Sequence, residues 1–173
     1  ANAKNDLPSG IIIKVNSMVD PDLISLLYDA SRAGVKITLI VRGICCLIPG
    51  IEGVSENITV ISIVGQLLEH SRIFKFENGG EPVVYIGSAD WMQRNLDKRV
   101  ELVFPVEDED LKKRVFGMLD IMMNDTINAR VQKSDMTYVM IDKRGKQPLN
   151  SQLEFYRLAK EALEAVSYTH LTL

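Results

Sequence analysis

The chain has 173 residues, 46% of them hydrophobic, with 20 Lys and Arg against 23 Asp and Glu and a net charge of −3. That size suits one domain, well above the ~70–80 residues below which a core needs disulfide or metal staples. The composition excludes disorder and collagen-like repeats, no run reaches the ~18 apolar residues of a membrane span, and the net acidity argues against a general nucleic-acid binder.

The N-terminus, residues 1–10, carries no apolar signal core. Ile11 to Val15 is a β-branched run that reads as a buried strand. Asp20-Pro21-Asp22 then supplies an N-cap, a proline at the first helical position and an acid in the first turn. Leu23, Ile24, Leu26, Leu27 and Ala30 give a helical stripe that stops at Gly34, and Val35 to Val41 is a second buried strand. A β-α-β unit of this kind places two parallel strands in an α/β sheet with a right-handed crossover.

Arg42 to Asn57 lapses into a loop with Gly43, Pro49, Gly50 and Gly53, leaving the carboxyl end of the second strand, where open α/β sheets bind ligands. Cys45 and Cys46, the only two cysteines, lie in this loop. Vicinal disulfides are strained, and nothing here has zinc-site spacing, so both read as reduced thiols of a cytoplasmic protein. A short strand over Thr59 to Ile63 follows, then strands over Arg72 to Glu77 and Val83 to Ser88. Asn78-Gly79 between these two signals an antiparallel hairpin. The pattern predicts another strand over Lys98 to Phe104, closed by Pro105, and a helix over Asp108 to Asn124 with apolar Leu111, Val115, Met118, Leu119 and Met122. Its acidic start, Asp108-Glu109-Asp110, suits the first turn of a helix. Arg130 to Lys146 reads as polar and irregular, with five basic residues against two acids, and Ser151 to Val166 as a last amphipathic helix.

His70 carries the most chemical weight, because the other of the two histidines, His170, sits at the end of the chain. Glu69-His70-Ser71-Arg72 leads into the hairpin, whose second strand ends Gly87-Ser88-Ala89-Asp90. Pairing across the turn therefore brings His70, Arg72, Ser88 and Asp90 toward one sheet edge, with Asn95 and Glu101 flanking the next strand. Such a set suits a phosphoryl group. Arg offers a planar fork to phosphate oxygens, a histidine acts as acid, base or nucleophile near neutrality, and a carboxylate fixes its tautomer. Arg42, directly after a buried strand, adds a second cation. The plainer alternatives are a histidine capping a strand and an ordinary surface arginine. Trp91 reads as a core or lid residue or a base-stacking one, and Arg94, Asp97, Lys98 and Arg99 as a solvated loop. The basic residues between Arg130 and Lys146 read as surface or as a track for an anionic polymer. P-loop, GxGxxG and GxSxG motifs are absent.

The order His70-x-Arg72, Gly87-Ser88-x-Asp90, Asn95, Glu101 resembles one half-site of the phospholipase D superfamily, whose pattern runs His-x-Lys, Gly-Ser-x-Asn and a later acid. More specifically, the chain resembles the C-terminal domain of the histidine-dependent bacterial polyphosphate kinases. The segments carrying this are Ile13 to Ser17 with Val19-Asp20, Leu39 to Cys45, Ser62 to Gly65 with Leu68 to His70, Phe76 to Gly80, Ser88 to Met92 and Arg94 to Asp97. The resemblance covers roughly residues 1 to 165. It implies an α/β phospholipase D-like mixed sheet flanked by helices, with a helical C-terminal part. It also implies reversible transfer of the ATP γ-phosphate to inorganic polyphosphate through a phosphohistidine, with Mg²⁺. In that family the phosphohistidine, and the residues that hold Mg²⁺ and stack on the nucleotide, lie in the preceding domain, so no metal ligand is expected here. His70 matches the second histidine, tied to ATP binding and acid/base help, and Arg42 the arginine on the nucleotide phosphates. Arg72 is placed with them on phosphate, and Ser88, Asp90, Asn95 and Glu101 in support.

The partners implied are ATP or ADP, polyphosphate, the rest of a polyphosphate kinase chain and further copies in a homo-oligomer, with no nucleic acid. The setting implied is cytoplasmic, association with the inner membrane being left open. Arg72 stands where the wider superfamily has Lys, and Asp90 where it has Asn, which weighs against phosphodiester hydrolysis. The alternatives are a phospholipase D-like phosphodiesterase half-site working as a homodimer, and a non-catalytic anion-binding module. Residues 1–166 are expected to form the domain, and 167–173 to be an appended tail unlike the family's continuation.

Overall fold

The computed structural model describes the backbone of residues 1–170 and the side chains of residues 1–164. Its strands are β1 (Gly10–Val15), β2 (Lys36–Val41), β3 (Ile58–Ile63), β4 (Ile73–Phe76), β5 (Val83–Gly87), β6 (Val103–Pro105), β7 (Ala129–Gln132) and β8 (Tyr138–Met140). The helices are α1 (Pro21–Arg32), α2 (Gln93–Lys98), α3 (Glu109–Met123) and α4 (Ser151–His170). All eight strands join one sheet in the order β6-β5-β4-β1-β2-β3-β7-β8. The pairs β1–β2 and β2–β3 are parallel and every other pair is antiparallel.

The β-α-β unit forms as its sequence signals require. Asp20 caps α1 by accepting from the Leu23 amide at 2.9 Å, and Pro21 opens the helix. Gly34, just past the end of α1, takes φ +89°, a left-handed conformation that suits glycine. The β1–β2–β3 strands carry apolar side chains on both faces because both faces are covered. On one side Ile13, Val15, Ile37, Leu39, Val41, Val60 and Phe74 pack with Ile24 and Leu27 of α1. On the other, Ile40, Ile61, Ile63, Ile73 and Val84 pack with Leu119 and Met122 of α3 and Phe155 of α4.

Three expectations need correction. The strand expected over Lys98 to Phe104 is instead the short helix α2, an extended segment, and then β6 from Val103. A ladder needs a neighbour, and β5 stops at Gly87, opposite Val103. Val100 and Leu102, which made the pattern look like a strand, lie before that point and are fully and 69% exposed. The stretch expected to be irregular, Arg130 to Lys146, contains the β7–β8 hairpin, in which Ala129 to Val131 pair with the open edge of β3. An edge hairpin exposes much of its surface, so its residues lack the apolar run of a central strand. The last helix runs to His170, four residues beyond the expected Val166. The expected tail therefore begins inside α4, and residues 171–173 lie outside the described residues.

Candidate functional site

Topology brings the candidate residues to one end of the sheet. β1 and β2 run parallel, so Asn16 and Arg42, each directly after its strand, leave at the same carboxyl end. β4 runs antiparallel to β1 with Ile73 opposite Lys14, so it starts at that end, and the loop entering it delivers His70 and Arg72 there. β5 returns antiparallel with Ile86 opposite Ile73, so Ser88, Ala89 and Asp90 emerge at the same place. Backbone bonds tie these exits together. The Trp91 carbonyl accepts from the Val19 and Asp20 amides at 2.8 and 2.9 Å, the Trp91 amide donates to Ser17, and the Met18 amide donates to Ile44.

Asp90 is the hub. Only 8% exposed, its carboxylate accepts from the Asn16 backbone amide at 2.7 Å, from Asn16 Nδ2 at 3.2 Å, and from Arg72 Nε and Nη2 at 3.3 and 2.9 Å. Burial pushes the Asp90 carboxyl up, but the hydrogen bonds from Arg72 and Asn16 outweigh it and hold the group below the usual carboxylate range. Arg72 extends the line on one side, with Nη1 2.9 Å from both the His70 carbonyl and His70 Nδ1. A guanidinium only donates, so the ring nitrogen accepts. Asn16 extends it on the other side, its Oδ1 accepting from Arg42 Nε at 3.1 Å. Arg42, Asn16, Asp90, Arg72 and His70 thus form one continuous hydrogen-bonded line that ends on the exposed imidazole.

Gly43 makes this line possible. Its amide donates to the Asn16 carbonyl at 2.7 Å, and a Cβ there would stand only 2.8 Å from that oxygen. Any side chain at this position would therefore push Arg42 away from Asn16.

Ser88, Asn95 and Glu101 form a neighbouring group. Glu101 accepts from Ser88 Oγ through one oxygen and from Asn95 Nδ2 at 2.5 Å through the other, while Ser88 Oγ accepts from the Leu102 amide at 3.1 Å. The bonds from Ser88 and Asn95 hold the Glu101 carboxyl below its ordinary value, with Arg72 adding an attractive charge. This group fixes the loop that carries Asp90.

Trp91 is half-buried and stacks on Phe74 with centroids 5.9 Å apart, so it secures the loop against the core. The basic residues after Ala129 are not gathered with the line as a group: β7 runs toward the amino ends of β2 and β3, carrying Lys133 away from Arg42, and Arg144 pairs with Asp142. Sequence reasoning gave no role to Asn16, although it stands one residue past β1 as Arg42 stands one past β2. That matched position was the available signal.

The description "Polyphosphate kinase C-terminal domain 2" belongs to the family whose profile matches residues 1–152. This chain belongs to that family. It is 51% identical over 165 residues to a polyphosphate kinase of Lactiplantibacillus plantarum, covering 95% of this chain and 23% of the relative. It is 46% identical over 160 residues to that of Escherichia coli K12, covering 92% of this chain and again 23% of the relative. The chain therefore spans about a quarter of the length of these curated relatives. Among solved structures, the polyphosphate kinase of Porphyromonas gingivalis superposes with a TM-score of 0.90 at 41% identity, over 95% of this chain and 25% of that one. Nuc from Salmonella typhimurium, described as a phospholipase D family member, superposes with a TM-score of 0.56 at 16% identity, over 76% of this chain and 87% of that one. The expected phospholipase D-like sheet with flanking helices is thus the fold of this polyphosphate kinase family domain.

Among the described residues, no group of three or more His, Cys, Asp or Glu side chains is placed to hold a metal ion. The two acids at the site are already engaged, Asp90 by Arg72 and Asn16, and Glu101 by Ser88 and Asn95. These donors do not fit a Mg²⁺ ion. No described helix is long and apolar enough to cross a membrane.

Proposed function

We propose that this chain supplies the nucleotide- and phosphate-binding half of a polyphosphate kinase site. The observation that carries the reading is the line Arg42–Asn16–Asp90–Arg72–His70, which holds two guanidinium groups and an imidazole in one hydrogen-bonded series at the carboxyl end of the parallel strands. Arg42 commits Nε to Asn16, and its Nη groups make no hydrogen bond among the described residues, so they are free to grip phosphate oxygens. Arg72, neutralised on one side by Asp90, keeps the imidazole in place.

In the reaction proposed, a histidine of the preceding part of the protein attacks the γ-phosphorus of ATP, and the bond from that phosphorus to the β–γ bridging oxygen breaks, releasing ADP. A terminal oxygen of polyphosphate then attacks the phosphohistidine and the N–P bond breaks, lengthening the polymer by one phosphate. Such transfers need mainly positioning and charge neutralisation, which Arg42 supplies directly and Arg72 supports. His70 donates a proton to the β-phosphate oxygen of the departing ADP and recovers one from the terminal phosphate of polyphosphate as its oxygen attacks the phosphohistidine. Mg²⁺ is assigned to the preceding part, and so is the surface that stacks on the base. A cytoplasmic homo-oligomer, drawing on the ATP pool, is the setting proposed.

The test is a chimera in which this chain replaces the matching segment of the L. plantarum relative. Transfer of ³²P from γ-labelled ATP to acid-insoluble polyphosphate is expected from the chimera and lost in H70A, while this chain alone with ATP and Mg²⁺ makes none. Polymer made by the chain alone, or hydrolysis of a generic phosphodiester by the chain as a homodimer, would overturn the reading.

A further inference from the structure

Lys14 sits in the middle of the sheet, opposite Ile40 of β2 and Ile73 of β4, and is 3% exposed. A lysine there belongs to the most expensive class of buried residues unless its charge is met. It is met by the loop that carries His70. The Lys14 ammonium stands 2.7 Å from Glu69 Oε2 and donates to the Ser71 carbonyl at 3.1 Å. The buried Oε2 of Glu69 has this ammonium as its counter-charge, while Oε1 accepts from the Ser71 amide at 3.1 Å and from Ser71 Oγ at 2.5 Å. Burial pushes the Glu69 carboxyl up, but the bonds from Lys14 and Ser71 prevail and keep it ionised. Both sequence neighbours of His70 are therefore fastened to one another and to a central strand.

We propose that Lys14 is a positioning residue for His70, acting through the Glu69–Ser71 clamp. This rests on the reading of His70 as the acid/base group of the site. The imidazole has two anchors. Arg72, itself held by Asp90, fixes the ring, and Lys14 fixes the backbone on both sides of it. With one anchor removed, the peptide at His70 is free to pivot about the one that remains. Gln152 adds a hold further back, donating to the Leu67 carbonyl at 2.6 Å and accepting from the Leu67 amide at 2.9 Å. Lys14 does not reach substrate. Its charge is spent inside the protein, and its effect is on where the imidazole stands.

Two variants test this. K14M strands the Glu69 charge, whereas K14M/E69L removes both charges and puts apolar groups of similar length in place of the ion pair, a change that buried ion pairs tolerate. The double variant therefore carries the measurement if K14M fails to fold. In the 173-residue chain, two histidines give a simple imidazole NMR spectrum, with His70 assigned by its loss in H70A. The expected result is that the His70 ring signals shift and their relaxation shows rotamer averaging, while core amides keep their positions. In the chimera, kcat is expected to fall about 100-fold, the scale of an ångström-sized misplacement, with KM for ATP little changed.

Unmoved ring signals and a parental kcat in folded K14M/E69L would overturn the proposal. A fall in core stability with no change at the ring would assign Lys14 a structural role only, and would overturn it equally. If the unaltered chimera makes no polyphosphate but the ring signals move, the kinase reading falls and the positioning of His70 by Lys14 stands.

Discussion

Asp90→Asn tests the centre of the site with a minimal change of shape. The amide oxygen can still accept from the Asn16 backbone amide, but the charge that meets Arg72 is gone. Arg72 and Asp90 retain only 11% and 12% side-chain exposure, so the guanidinium is left largely buried and uncompensated. Breaking a buried pair costs about 3–5 kcal/mol, and the residual exposure places this one near about 3 kcal/mol. For a chain of this length that corresponds to a fall in Tm of roughly 6–12 °C. The assay is urea and thermal unfolding of the parent, D90N, R72M and R72M/D90N. The double variant removes both charges, so its loss should fall short of the sum of the singles by about 2 kcal/mol. Additivity within about 0.5 kcal/mol, or a D90N as stable as the parent, would refute the claim that this pair anchors the site.

Asp125 is fully buried and accepts from the amides of Ile127, Asn128, Ala129 and Ser151 and from Ser151 Oγ, so it joins the end of α3 to β7 and α4. D125A orphans these donors together and is expected to lose about 4 kcal/mol or more in urea unfolding, beyond the usual range of a single substitution. Burial raises the carboxyls of Asp90 and Asp125, yet their hydrogen bonds hold both below the usual range. The unfolded chain thus takes up these protons first. Their contribution is complete above the ordinary aspartate value of about 3.9 and is lost as pH falls through the lower native values, so the urea midpoint should hold from pH 7 to about 5 and drop steeply below 4. A midpoint unchanged at pH 3 would contradict this. On the proposed reading, G43A should weaken polyphosphate binding in a filter-retention assay by displacing Arg42, and a variant binding like the parent would contradict the role proposed for Arg42. Cys45 is buried, which pushes its thiol up to about 11, whereas Cys46 is exposed. Iodoacetamide at pH 8 should modify Cys46 and spare Cys45, as read by peptide mass spectrometry.

The β-α-β unit was legible in the chain because its signals are local. β-branched runs, an Asp-Pro start and a glycine past the helix end act within a few residues. The hairpin of β4 and β5 was legible for the same reason, and its turn alone implies that His70, Arg72 and Asp90 share one edge. Local pattern failed where pairing depended on distant partners. Val100, Leu102 and Phe104 alternate like a strand, but the end of β5 decides that pairing starts only at Val103. Arg130 to Lys146 looks irregular, but the open edge of β3 draws in β7, and β7 draws in β8.

By itself, then, the sequence determined the kind of fold, the family it resembles and the gathering of His70, Arg72 and Asp90 toward one sheet edge. These follow from short-range propensity and from motif order. The tertiary structure alone decided how those residues are joined. Asn16 meets Arg42 across 26 positions and Asp90 across 74, and Lys14 reaches Ser71 across 57. Hydrogen-bond partners this far apart in the chain leave no periodic trace. They are set by strand register, which brings the ends of β1, β2, β4 and β5 together at one place.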